Sequence, residues 1–172
     1  MPFHRAPHTF VSHVELKVEH LERAKRFYRD GIGFRVLAED DHRAELTADG
    51  KTPLLTLIQP ADVIPKRGRT TGLYHFALLL PTRTDLARMV MHLAELGIPL
   101  GSSDHLVSEA LYLNDPDGNG IEIYRDRDPA EWDWVLGGRE VKMTVDPLDF
   151  HDLLAGVSRE WHGLPEGTLM GH

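Results

Sequence analysis

Two stretches of this 172-residue chain carry the same succession of apolar patterns: one strand, one amphipathic helix, then three strands. Such a repeat calls for two similar sheets, each covered by one helix, and so narrows the architecture before any residue has a role. In the first stretch Val14, Leu16 and Val18 alternate with His13, Glu15 and Lys17, the two-residue period of a half-buried strand. Leu21, Ala24, Phe27 and Tyr28 then recur at helical spacing, and Gly31 and Gly33 stop the helix. Strand patterns follow at 34–37, 44–47 and 54–58, with Asp49-Gly50 as a turn. The second stretch opens with a strand at 75–80. Thr84 can cap the next helix, whose apolar face is Leu86, Met89, Val90, Leu93 and Leu96, and Gly97 ends it. Strands at 98–100, 110–113 and 121–124 complete the repeat.

The expected fold is therefore α+β, with two βαβββ modules forming a curved mixed sheet. The paired modules cover 9–126, at about 9–58 and 73–126, joined by a loop at 59–72. That loop holds Pro60, Pro65 and the basic residues Lys66, Arg67 and Arg69; it reads as a solvated linker, with an anion-contacting loop as the alternative. Residues 127–172 form a C-terminal extension, with Trp132 and Trp134 in an acidic stretch and a short helix opened by Asp146-Pro147. Trp132 and Trp134 read as a lid or interface, or as a wall for an aromatic ligand. Asp115, Asp117, Asn119 and Gly120 start like a calcium-binding loop, but Glu122 stands where an apolar residue belongs and no helix pattern follows, so this is a turn.

Composition removes several classes of function. Without cysteine there is no disulfide scaffold, Cys-ligated zinc, iron–sulfur cluster or thiol nucleophile. Nineteen basic against 27 acidic side chains give a net charge of −8, which disfavours nucleic acid as a partner. No apolar run approaches a membrane span and no signal-peptide pattern opens the chain, so the expected location is cytoplasmic, without a membrane partner. Any metal must be held by histidine nitrogen and carboxylate oxygen, and the chain has eleven histidines.

Strand parity selects among them. Burial of Val14, Leu16 and Val18 under the helix leaves His13 on the opposite face. Burial of Phe76, Leu78 and Leu80 does the same for His75, and burial of Ile121 and Ile123 does so for Glu122 and Tyr124. His13 and His75 hold equivalent places in the repeat, and Glu122 interrupts an apolar strand where an unpartnered carboxylate would be costly. Two histidines and one carboxylate with open positions suit Fe(II), and also Mn(II) or Zn(II).

The segments His13-Val14-Glu15-Leu16-Lys17-Val18, Tyr74-His75-Phe76-Ala77 and Asp115-Pro116-Asp117-Gly118-Asn119-Gly120-Ile121-Glu122-Ile123-Tyr124 resemble the vicinal oxygen chelate superfamily, closest to its catechol 2,3-dioxygenase-like branch. That superfamily includes glyoxalases, extradiol dioxygenases, fosfomycin-resistance transferases and bleomycin-binding proteins. The resemblance implies metal ligands His13, His75 and Glu122, and Thr56 stands where glyoxalase I carries a fourth, acidic ligand. Tyr112, ten residues before Glu122, is similar to an active-site tyrosine of extradiol enzymes, and His105 to a histidine beside their substrate. The implied activity is Fe(II)-dependent ring cleavage of a catechol-type aromatic diol by dioxygen, with His105 as base and Tyr112 as hydrogen-bond donor. A glyoxalase-like lyase, a glutathione or thiol transferase, or a non-catalytic drug-binding module are the alternatives. A homodimer is expected, since such modules pair within or between chains. The ending Thr168-Leu169-Met170-Gly171-His172 resembles the approach to a module's first strand, as at Val11-Ser12-His13, and the extension resembles a linker to a second module pair.

Overall fold

The computed structural model describes residues 4, 6–66, 68 and 71–172; Arg67 and Arg69 of the basic loop lie outside them. The first module runs β1 (Val14–Lys17), α1 (Leu21–Arg26), β2 (Arg35–Glu39), β3 (Arg43–Thr47) and β4 (Pro53–Ile58). The second runs β5 (His75–Leu79), α2 (Arg83–Glu95), β6 (Gly101–Asp104), β7 (Ser108–Asn114) and β8 (Gly120–Asp126). The extension supplies a small hairpin of β9 (Trp134–Val135) and β10 (Glu140–Val141), then α3 (Phe150–Leu154) and β11 (Leu169–Met170).

The modules build two mixed sheets, not one continuous sheet: β1-β4-β3-β2, and β11-β5-β8-β7-β6. In each, the module's first strand lies parallel to its last, and the other pairings within the module are antiparallel. The difference between the sheets is at one edge. β11 adds antiparallel to the outer side of β5, whereas no strand among the described residues occupies the corresponding side of β1.

The alternation expected at 13–18, 75–80 and 121–124 governs burial. Leu16, Val18, Phe76, Leu78, Leu80, Ile121 and Ile123 join one core with the apolar faces of both helices. A smaller cluster of Ala77, Leu79, Ala110 and Tyr124, with Tyr112 and Leu169 against it, covers the other face of the second sheet. Buried Tyr28 ties the modules together, since its hydroxyl donates to Asp115 at 2.9 Å while its ring packs against Phe34 and Phe76. Tyr28 lies where the first helix widens into a π-helical turn, Phe27–Ile32, closed by Gly33 at φ +93°.

Three local expectations shift. Thr82, not Thr84, caps α2: its hydroxyl accepts from the Asp85 N–H, and Thr84 lies inside the first turn. The strand expected at 98–100 lies at Gly101–Asp104, because Pro99 has no N–H to give a ladder. Asp146-Pro147 does not open the short helix; Asp149 caps it, and the Asp146 backbone instead bonds that of Asp104 beside β6.

One buried ion network fixes the far end of the second sheet. Glu109, 1% exposed, accepts from Arg83 at 2.9–3.1 Å and from Arg125 at 2.7 Å. Burial alone would raise its pKa, but the hydrogen bonds and charges of these arginines outweigh burial and hold it below the ordinary glutamate value. A folded-state pKa below the unfolded one gives stability that is complete above the unfolded value and lost as pH falls through the folded one. Glu109→Gln is therefore expected to cost about 3 kcal/mol at neutral pH by orphaning buried charge. The deficit should shrink in thermal melts as pH falls below about 4.5. A pH-independent deficit would contradict this assignment.

Candidate metal centre

His75 pairs with Gly120 and Ala77 with Glu122 in the parallel β5/β8 register. That register stands His75 and Glu122 diagonally on one face, opposite the buried Phe76, Ile121 and Ile123. The tail of the extension completes the group. The Gly171 N–H donates to the Ala77 carbonyl at 2.8 Å and the Ala77 N–H to the His172 carbonyl at 2.9 Å, carrying His172 to the same face. His75 Nε2 lies 3.1 Å from Glu122 Oε2, His172 Nε2 lies 3.3 Å from it, and the two nitrogens are 3.0 Å apart. Three atoms on one face of an octahedron with bonds of about 2.1 Å lie about 3 Å from one another, so this donor set fits a divalent ion.

Charge supports the grouping. Burial would raise the pKa of Glu122, but the hydrogen bond and charge of His172, the charge of His75 and the Tyr112 hydroxyl outweigh it and lower it. The hydrogen bond from His172 to Glu122 raises the His172 pKa in turn. The site's floor is the apolar cluster of Ala77, Leu79, Ala110 and Tyr124. A dry floor strengthens any charge interaction above it.

Tyr112 and His105 form a second layer. The Tyr112 hydroxyl donates to Glu122 Oε1 at 3.1 Å and lies 2.9 Å from His105 Nε2. His105 Nδ1 sits 2.7 Å from the Thr144 carbonyl, which can only accept, so Nδ1 carries a proton. With the proton on Nδ1, Nε2 can act as an acceptor, so the one Tyr112 proton has two acceptors within reach, His105 Nε2 and Glu122 Oε1. Burial first, then the Glu122 charge, pushes the Tyr112 pKa up, so the hydroxyl keeps its proton. Residues 144–146 hold His105 against β6 through the Asp104–Asp146 backbone pair.

His13 stands elsewhere. It precedes β1 on the first sheet, with Nε2 2.9 Å from the Thr56 hydroxyl and Nδ1 3.2 Å from the Pro53 carbonyl. Nδ1–H donates to the Pro53 carbonyl, so Nε2 accepts from the Thr56 hydroxyl and its lone pair is engaged. In the repeat Thr56 faces Glu15 as Glu122 faces Ala77, so the first module has a hydroxyl where the second has the carboxylate. His75 and Glu122 are brought together as expected from parity, and the third side chain beside them that could hold a metal is His172. Its signal was the likeness of Met170-Gly171-His172 to Val11-Ser12-His13. Trp132 and Trp134 pack on each other, with ring centroids 5.7 Å apart, at the hairpin of the extension.

The comparisons with known proteins agree with this architecture. A family model described as the Glyoxalase/Bleomycin resistance protein/Dioxygenase superfamily matches residues 10–123. The chain belongs to this superfamily. It is 48% identical over 168 residues to Catechol-2,3-dioxygenase of Bacillus subtilis, covering 95% of this chain and 58% of that protein. The chain thus spans little more than half the length of that relative. It is 31% identical over 165 residues to Biphenyl-2,3-diol 1,2-dioxygenase 3 of Rhodococcus globerulus, covering 92% of this chain and 86% of that one. Among solved structures, a glyoxalase/dioxygenase from Nostoc punctiforme superimposes with a TM-score of 0.56 at 21% identity, over 69% of this chain and 91% of that chain. Lactoylglutathione lyase from Agrobacterium tumefaciens gives 0.54 at 22%, over 69% and 95%. At these identities the two structures support the fold alone. No helix among the described residues is long and apolar enough to cross a membrane.

Gly171 is a sharp test of how the tail positions His172. A Cβ there would overlap the Tyr124 ring, with Cζ at 2.8 Å, and Tyr124 is only 6% exposed. Gly171→Ala is expected to lower metal affinity about 10- to 100-fold, the range for lost support of a ligand. Competition with a chelator would read the loss, and circular dichroism should stay unchanged. Wild-type affinity would mean that Gly171 does not position His172.

Proposed function

We propose that this chain acts as an extradiol dioxygenase on a catechol-type aromatic diol, with Fe(II) held by His75, Glu122 and His172. The observation that carries the reading is the convergence of these three donors within 3.3 Å of one another, backed by Tyr112 and His105. Three protein donors would leave open positions on the ion for a substrate. The relatives named as dioxygenases acting on catechol and biphenyl-2,3-diol support this substrate class.

When bound, the ion acts as a Lewis acid on the diol and supplies the redox chemistry for dioxygen. The chain's own groups manage protons. His105 Nε2 accepts a proton through Tyr112, its ring held by the Thr144 carbonyl. With both His105 nitrogens protonated, Nε2 would donate to the tyrosine oxygen, and Tyr112, keeping its own proton, would direct its hydrogen bond to Glu122 or to the diol. Tyr74, 89% exposed and with its ring 5.2 Å from that of His75, offers a face for an aromatic ligand. The product is the sum of diol and dioxygen, so the reaction needs no external reductant.

The test is anaerobic loading of the protein with Fe(II), addition of catechol or 2,3-dihydroxybiphenyl, and admission of air. The expected result is a yellow ring-opened product, with one dioxygen consumed per diol. Stoichiometric iron binding without product from either diol would overturn the substrate class.

A further inference from the structure

A cleft of about 320 Å³ lies between α2, the start of β2 and the segment 160–166, and it shares no residue with the metal centre. Its charged groups are unevenly satisfied. Asp85 accepts from the Thr82 hydroxyl at 2.5 Å, Glu166 pairs with Arg35 at 3.4 Å, and Glu160 lies 3.8 Å from His162. Arg88 also lines the cleft, and its Nε is buried with no hydrogen-bond partner. Among the described residues the Arg88 side chain makes no hydrogen bond or ion pair, although Asp85 precedes it by one helical turn.

The surroundings define what would satisfy it. A guanidinium presents parallel N–H groups that match the two oxygens of a carboxylate. The carboxylates already lining the cleft oppose a dianion such as phosphate and leave a monoanion favoured. Trp161 stacks on His92, with centroids 4.3 Å apart and planes 12° from parallel, so its ring is a fixed wall. Leu164 and Pro165 add apolar surface. We propose that this cleft binds a small organic monocarboxylate, its charge on Arg88 and its apolar part against Trp161, Leu164 and Pro165. The site stands apart from the dioxygenase reading and does not depend on it.

The test uses metal-free full chain carrying Trp132→Phe and Trp134→Phe, so that Trp161 is the only indole. Titration with benzoate is expected to give a saturable change in Trp161 emission. Arg88→Met should weaken benzoate at least tenfold without lowering the melting temperature of the free protein, since it removes a charge that has no partner. Arg88→Lys keeps the charge and loses the fork, so it should fall between. Inorganic phosphate should bind at least tenfold more weakly than benzoate, and Glu122→Gln should leave benzoate binding unchanged. Three results would overturn the proposal: no saturable signal, benzoate affinity unaltered in both Arg88 variants, or loss of binding in Glu122→Gln. Phosphate binding as tightly as benzoate would overturn the assignment to a monocarboxylate.

Discussion

Glu122→Gln is expected to reduce metal affinity by well over 100-fold while the protein keeps its fold. Glu122 Oε2 is the atom that both histidines approach, at 3.1 and 3.3 Å. An amide of the same shape fits the space but has no charge to offset a divalent ion and is a weak donor to it. Loss of one supporting group around a site costs about 10- to 100-fold, and loss of a ligand itself exceeds that. The free protein should also lose some stability at neutral pH, because the fold holds the Glu122 pKa below its ordinary value, but it should still fold. Metal content after dialysis, with melting temperature alongside, reads both effects. Full metal content in this variant would show that the carboxylate is not a ligand.

The second large effect is expected at Gly120, through backbone alone. Gly120 opens β8 directly opposite His75, and a Cβ there would meet the Tyr74 carbonyl oxygen well inside contact distance, with His75 Cβ at 3.0 Å and Cα at 3.3 Å. No rotamer relieves a clash with backbone, so β5 and β8 must separate at the point where they carry His75 and Glu122. Gly120→Ala is expected to cost about 1–3 kcal/mol, the range for overpacked sites. It should also weaken metal binding about 10- to 100-fold, although residue 120 touches no metal. Urea unfolding measures the first effect and chelator competition the second. A destabilised variant with wild-type metal affinity would separate the strand register from the site.

The repeat and the parity of three strands were legible because burial enforces them. Val14, Leu16, Phe76, Leu78, Ile121 and Ile123 can face only the core, and that alone sets the direction of His75 and Glu122. Element ends were less legible. Thr82 and Thr84 are chemically the same cap, and only the path of the backbone decides which hydroxyl meets the Asp85 N–H. The third candidate donor, His172, was illegible for a different reason. Parity places His13 on the correct face of its own strand, but not which strand lies beside β5. That neighbour is β11, joined by a two-residue ladder that no periodicity reveals. Thr56 carried a warning, since a hydroxyl in place of a carboxylate leaves His13 with a hydrogen-bond partner and no acidic co-ligand. The coupling of His105 to Tyr112 depends on Thr144, from a segment whose pattern announces neither strand nor helix.

The most direct measurement of the proposed centre is the iron content of anaerobically loaded wild type, His172→Ala and His13→Ala, each taken through the same dialysis. Wild type and His13→Ala are expected to retain about one iron per chain, and His172→Ala to lose most of it. Iron retained by His172→Ala and lost by His13→Ala would contradict this ligand set and return the third position to the first strand of the first module.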